Sequence, residues 1–256
     1  MSTLAFPKLQ ENHGAVGTAS KSSLWFSLMM RTLFFIGFGL VFVGISFLAG
    51  YEHPMKAAER WWPFQAILAN IATYAVLRYF LRKEGQSYGS LFGFRRSITG
   101  LDMKQFAWLL VVGFAVGGIP LYLFSYAILG SFVPPNLMFQ PLPVWAAILA
   151  LVLFPLTNGL VETPTYVGYA LPRLKRATGS GRLAILFAGL ALAFQHVALP
   201  LVLDVPYMLW RFAAFIPLGL AIGFIFSRTK RLLPIAMAHY VMDLQLAITL
   251  FVYSME

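Results

Sequence analysis

The sequence predicts an all-α membrane protein, a polytopic bundle of about seven transmembrane helices, and three observations predict it. The first is composition: of 256 residues, 59% are hydrophobic and only 11% are charged, whereas soluble domains run near 25% charged. A water-soluble globular domain is excluded, and so is disorder, because apolar and aromatic residues abound. The second is that the apolar residues gather in seven runs of roughly 18–28 residues, each long enough to cross a bilayer. The third is that these runs do not alternate with period two, so they read as helices rather than barrel strands.

The elements can be justified in order. Residues 1–23 are polar and read as a cytoplasmic tail. The apolar run that follows exceeds a signal-peptide core of roughly 7–15 residues and reads as a retained span. Three N-terminal spans, at 24–48, 64–81 and 106–129, make up the segment 24–130. The fourth starts near 144 and runs, interrupted, to about 171. The last three are expected at 183–203, 209–226 and 233–253. The loops are too short for a second, soluble domain. Within the sixth span, Gly219 and Gly223 form a small-residue face suited to close helix packing.

Charge orients the bundle. The tail and the loops after spans two, four and six hold Lys8, Lys21, Arg82, Lys83, Arg95, Arg96, Lys104, Arg173, Lys175, Arg176, Arg182, Arg228, Lys230 and Arg231. The opposite side holds only Lys56, Arg60 and Arg211, while Arg31 and Arg78 lie within spans. The positive-inside rule then puts the N-terminus in the cytoplasm and the C-terminus outside. Tyr51, Trp61 and Trp62 fall at the outer boundary, as an aromatic belt would. The net charge of +10 is thus accounted for by topology. The bilayer is the expected partner, nucleic acid is not, and the expected location is the cell (plasma) inner membrane. Cysteine is absent, so disulfides, thiolate nucleophiles and Cys-bound metals are excluded.

Where the few acids and histidines fall is the most informative feature. Glu11, Glu52, Glu59, Glu84, Asp102, Asp204, Glu256, His13 and His53 lie in the tail, loops or terminus and read as solvated or interfacial. Glu162, His196, His239 and Asp243 lie inside apolar spans. Ionisable groups there are costly and mark a bundle interior or a wet cavity. At 1.5 Å of rise per residue, they fall roughly 14, 20, 9 and 15 Å from the cytoplasmic ends of their spans. Three helices thus contribute polar groups to one slab. His239 and Asp243, at i and i+4, share a helix face. The set makes a general-base and oxyanion-binding kit, and equally a metal site or a proton relay. Pro155, Gly159 and Pro164 interrupt span four, and Pro164 frees the carbonyl of Leu160. A broken helix beside Glu162 would admit water to the site.

These residues carry a resemblance. The chain resembles the CPBP intramembrane proteases, also called the Abi or CAAX-protease family, over roughly residues 144–250. The family pattern is Glu-Glu-x-x-x-Arg, then Phe-x-x-x-His, then His-x-x-x-Asn/Asp. Here the parts begin at Glu162, end at His196, and run from His239 to Asp243. Thr163 stands in place of the second Glu, Val167 in place of the Arg and Leu192 in place of the Phe. The Glu and Arg are lost together, which leaves no single buried charge unpaired. The resemblance implies a core at 144–253 and hydrolysis of a peptide bond in a membrane protein or peptide near the cytoplasmic leaflet. It implies that Glu162 and His196 activate water and that His239 and Asp243 serve the oxyanion. Its substrates would be C-terminal tails of prenylated proteins or small membrane peptides. No cofactor is expected; were zinc used, His196, His239 and Glu162 would be its ligands. The short loops read as bacterial, which makes prenylated substrates the less expected of the two. Two further functions stay open. One is an inactive scaffold or bacteriocin-immunity protein that binds a membrane partner, and the other is a proton-coupled transporter.

Overall fold

The first helix begins where Ser20 can cap it, its hydroxyl accepting the Ser23 N–H at 3.1 Å. The computed structural model describes residues 20–93 and 99–256. In it the helices are α1 (Lys21–Leu48), α2 (Pro54–Glu59), α3 (Trp62–Lys83), α4 (Thr99–Leu129) and α5 (Val144–Thr163), followed by α6 (Leu171–Thr178), α7 (Gly181–Phe194), α8 (Val205–Thr229) and α9 (Leu233–Met255). A π-helical segment, Pro164–Ala170, joins α5 to α6, and a 3₁₀ turn, Gln195–Ala198, extends α7. Seven stretches are long and apolar enough to cross a membrane, so the seven-span, all-α expectation holds. Of the expected tail, residues 1–19 lie outside the described residues, and Lys21–Ser23 already belong to α1.

The apolar outer faces suit lipid: Leu40, Val41, Val111, Leu123 and Val152 are all exposed. Inside, α5 packs on α9 and α3, α4 lies against α8 and α9, and α1 lies against α3. The α7–α8 pair is set by glycine, as the small-residue face led us to expect. Backbone meets backbone where Gly219 faces Gly189, and a Cβ on Gly219 would collide with the Gly189 carbonyl.

Several expectations need correction. The fifth span ends at Ala198, short of 203: Leu199 is extended and precedes Pro200, which disfavours helix at the residue before it. Trp62 is not a lipid-facing belt residue. It is 1% exposed, packs edge-on to Phe154 and donates its indole N–H to Met138 O at 2.9 Å. Arg211 is no loop cation but a buried residue of α8, donating to the carbonyls of His196 and Leu199. Glu84 and Asp102 are not solvated either. Their side chains form buried ion pairs with Arg173 and Arg231, which tie loops to helices. Opposite charges from segments far apart in the chain could meet only once the helices had assembled.

Candidate active site

Glu162 sits on the last turn of α5, 4% exposed. Pro164 follows, and the chain widens into the π-helical segment, a form that often marks functional sites. The Leu160 carbonyl that the proline cannot bond is taken by a loop. Tyr88, in a 3₁₀ turn between α3 and α4, donates its hydroxyl to Leu160 O at 2.5 Å. Burial pushes the pKa of this phenol up, so it stays a donor at physiological pH. Tyr88→Phe is therefore expected to lower stability by about 1–3 kcal/mol, because an orphaned carbonyl is left beside the apolar phase. A thermal melt in nanodiscs that is unchanged from wild type would contradict this.

A second carbonyl group, that of Asn158, lies one turn before Glu162 on the same face of α5. Around these two residues the bundle places Arg31 of α1, which is fully buried. Its Nε donates to Gln195 Oε1 at 2.5 Å, and its Nη1 donates to Asn70 Oδ1. Its Nη2 donates to Asn158 Oδ1 at 2.8 Å and to Glu162 Oε2 at 3.0 Å. One guanidinium thus ties α1, α3, α5 and the 3₁₀ turn after α7. A planar, permanently charged fork suits that task.

On the other side of Glu162 stands α9. His239 Nε2 lies 3.8 Å from Glu162 Oε1 and 3.2 Å from Asp243 Oδ2. Its Nδ1 is 2.9 Å from the Thr163 hydroxyl, within hydrogen-bond distance. Thr163, which replaces the pattern's second acid, thus still holds the histidine. Asn158 Nδ2 donates to Asp243 Oδ2 at 2.8 Å. Two carboxylates therefore face one guanidinium and one imidazole, a balance that helps offset the cost of burying them.

His196 is placed differently. It lies on the 3₁₀ turn rather than within the α-helix of its span. Its Nδ1–H donates to Leu192 O at 3.0 Å, since a carbonyl can only accept, and that leaves Nε2 an acceptor. Its ring stacks on Phe215 with centroids 3.5 Å apart. Among the described residues it bonds to none of the other three, though it lies within electrostatic reach of Glu162 and His239. The structure thus brings His239 into contact with both Glu162 and Asp243 and sets His196 close by. Among the described residues, no group of three or more His, Asp or Glu side chains is placed to hold a metal ion.

A narrow cavity of about 30 Å³ reaches this centre between α4, α8 and α9, room for one or two waters. Glu162 and His239 line it, and Leu109, Val116, Leu218 and Ile222 make much of the rest apolar. Sequence reasoning missed Arg31, Asn70, Asn158 and Gln195. A signal existed: each is a polar residue inside an apolar run, and Arg31 entered only as a charge to be counted.

Fold and site together define a multi-pass helical membrane protein with a carboxylate–histidine centre buried among its spans. Residues 143–245 match the family model described as type II CAAX prenyl endopeptidase Rce1-like, the family to which the sequence resemblance pointed. What the match supports, at family level, is a CAAX-type intramembrane protease. The match contains Glu162, His196, His239 and Asp243; Arg31 and Asn70 lie outside it. No curated protein and no solved structure matches the chain.

Proposed function

We propose that the chain is an intramembrane endopeptidase acting on a membrane protein or peptide near the cytoplasmic leaflet of the plasma membrane. The observation that carries this reading is the contact of His239 with both Glu162 and Asp243 beside a mostly apolar cavity. Glu162 takes a proton from water as the water oxygen bonds to the scissile carbonyl carbon, with the Nε2 of His196 holding the water. The oxyanion is held by N–H donors, His239 and the Asn158 amide. Asp243, which would repel an oxyanion, orients both of these donors instead. When the C–N bond breaks, the proton on Glu162 passes to the amine. Side chains alone carry these steps, so hydrolysis is expected to be insensitive to chelators.

The substrate class we favour is a short C-terminal tail on a lipid-anchored chain, or a small membrane peptide. The test is cleavage of a farnesylated membrane peptide and an unmodified one by purified protein. Wild type is compared with Glu162→Ala and His196→Ala, and both substitutions are expected to remove hydrolysis. Full activity in both variants would refute the assignment.

A second reading has its own observation. The Arg31–Glu162 pair is buried, with side chains 0% and 5% exposed, which also suits an inactive scaffold or immunity protein whose polar centre only locks the helices. Cellular function that survives Glu162→Gln would favour that reading.

A further inference from the structure

The buried amide of Gln195 has half its hydrogen-bonding capacity unspent. Its Oε1 accepts from Arg31 Nε at 2.5 Å and from the Tyr166 hydroxyl at 3.3 Å. Two donors on one atom settle which end is oxygen, so the nitrogen points the other way. Gln195 is 0% exposed, and its Nε2 has no hydrogen-bond partner among the described residues. A buried donor without an acceptor is costly, and in a native structure it calls for an explanation. The other two amides of the centre differ. Asn70 Nδ2 donates to Thr157 Oγ1 at 3.1 Å, and Asn158 Nδ2 donates to Asp243.

Acceptors lie near this amide. The Gln195 side chain adjoins the Glu162 carboxylate. His196 follows on the same 3₁₀ turn within electrostatic reach of Glu162, and with its Nδ1–H spent on Leu192 O its Nε2 can only accept. One donor beside two acceptors is the complement of a water molecule, which gives two hydrogens and receives one. A buried water needs two to four such partners.

We propose that Gln195 is a further catalytic residue, whose Nε2–H holds the oxygen of the nucleophilic water while its hydrogens face Glu162 and His196. This rests on the protease reading above. As the water oxygen bonds to the carbonyl carbon, one hydrogen passes to Glu162 and the other stays on the new carboxyl group. The C–N bond then breaks, and the proton on Glu162 leaves with the amine. Arg31 is the positioning residue: it binds Gln195 Oε1 and Glu162 Oε2 with one guanidinium and sets their spacing. Neither role falls on the three-part pattern of the resemblance. Gln195 precedes the pattern's histidine, and Arg31 comes from a helix outside the matched segment.

Two variants separate this role from a structural one. Gln195→Glu keeps an acceptor for Arg31 and Tyr166 but deletes the donor. Its kcat on the farnesylated peptide is expected to fall about 100-fold, with KM within about threefold of wild type and a melting temperature no lower. Gln195→Met removes the acceptor as well and is expected to lose both activity and melting temperature. A Gln195→Glu enzyme with kcat within about twofold of wild type overturns the proposal. If wild type itself does not hydrolyse the peptides, the protease reading fails. The water seat is then judged by a high-resolution structure of the full chain. Ordered density within about 3.2 Å of Gln195 Nε2 and a Glu162 oxygen sustains it, and its absence there overturns it.

Discussion

Glu162→Ala is expected to lower kcat by about 10²–10⁴-fold, the range of a positioned general base, and to destabilise the fold by about 3–5 kcal/mol. The second effect follows from Arg31, which has no other carboxylate bonded to it among the described residues. Removing the acid strands a buried guanidinium, and a lone buried charge costs far more than a missing pair. Arg31→Met should destabilise by a similar amount through the converse fault. In the double variant Arg31→Met/Glu162→Ala both charges are gone, and stability should recover most of what either single change loses. Chemical denaturation of all four proteins in one detergent measures the coupling. Losses that simply add would show that the two groups do not act on each other. The activity axis is independent: the double variant is expected to be stable and inactive if Glu162 is the base. If it is stable and keeps its cellular function, the centre serves to lock helices together.

Gly219→Val is expected to cost about 3 kcal/mol and to remove hydrolysis as well. Its Cβ would land on the Gly189 carbonyl, and backbone on both sides cannot give way as a flexible side chain can. Overpacking of this sort costs about 1–3 kcal/mol where side chains can adjust, so a backbone collision belongs at the upper end. Activity should follow because α7 leads into the turn that carries His196, and that ring stacks on Phe215 of α8. Forcing the two helices apart separates the ring from its support. Gly118→Ala is the control: a Cβ there meets nothing within 4 Å, and no change is expected. Equal melting temperatures for Gly219→Val and wild type would show that the close approach does not contribute to stability.

Much of the fold was legible along the chain, because a span is a local property. Run length and period suffice for it, and the seven apolar stretches could be placed to within a few residues at most ends. Three ends were missed by more: α4 begins at Thr99 rather than 106, the fourth span continues to Thr178 rather than 171, and the fifth stops at Ala198, where hydrophobicity had outvoted Pro200. The Gly219 face was legible for the same local reason, though its partner, Gly189, was not. The candidate site was legible in part. Glu162, His196, His239 and Asp243 declared themselves because an acid or histidine in an apolar run is conspicuous. The freed carbonyl of Leu160 followed from the chemistry of Pro164. What accepts or donates across helices did not follow, since Tyr88 lies 72 positions from Leu160 and Arg31 lies 131 from Glu162.

The sequence by itself determined the helical membrane class, the number of spans and which four acids and histidines lie inside apolar runs. Each depends on composition or on spacing within one segment. Only the tertiary structure decided that the centre is closed by a cation from α1 rather than by a neighbour on the same helix. It alone showed that Thr163 still holds His239 where the pattern has an acid, and that Gln195 is left with an N–H to give. Charges and hydrogen bonds act over a few ångströms whatever separates their owners along the chain.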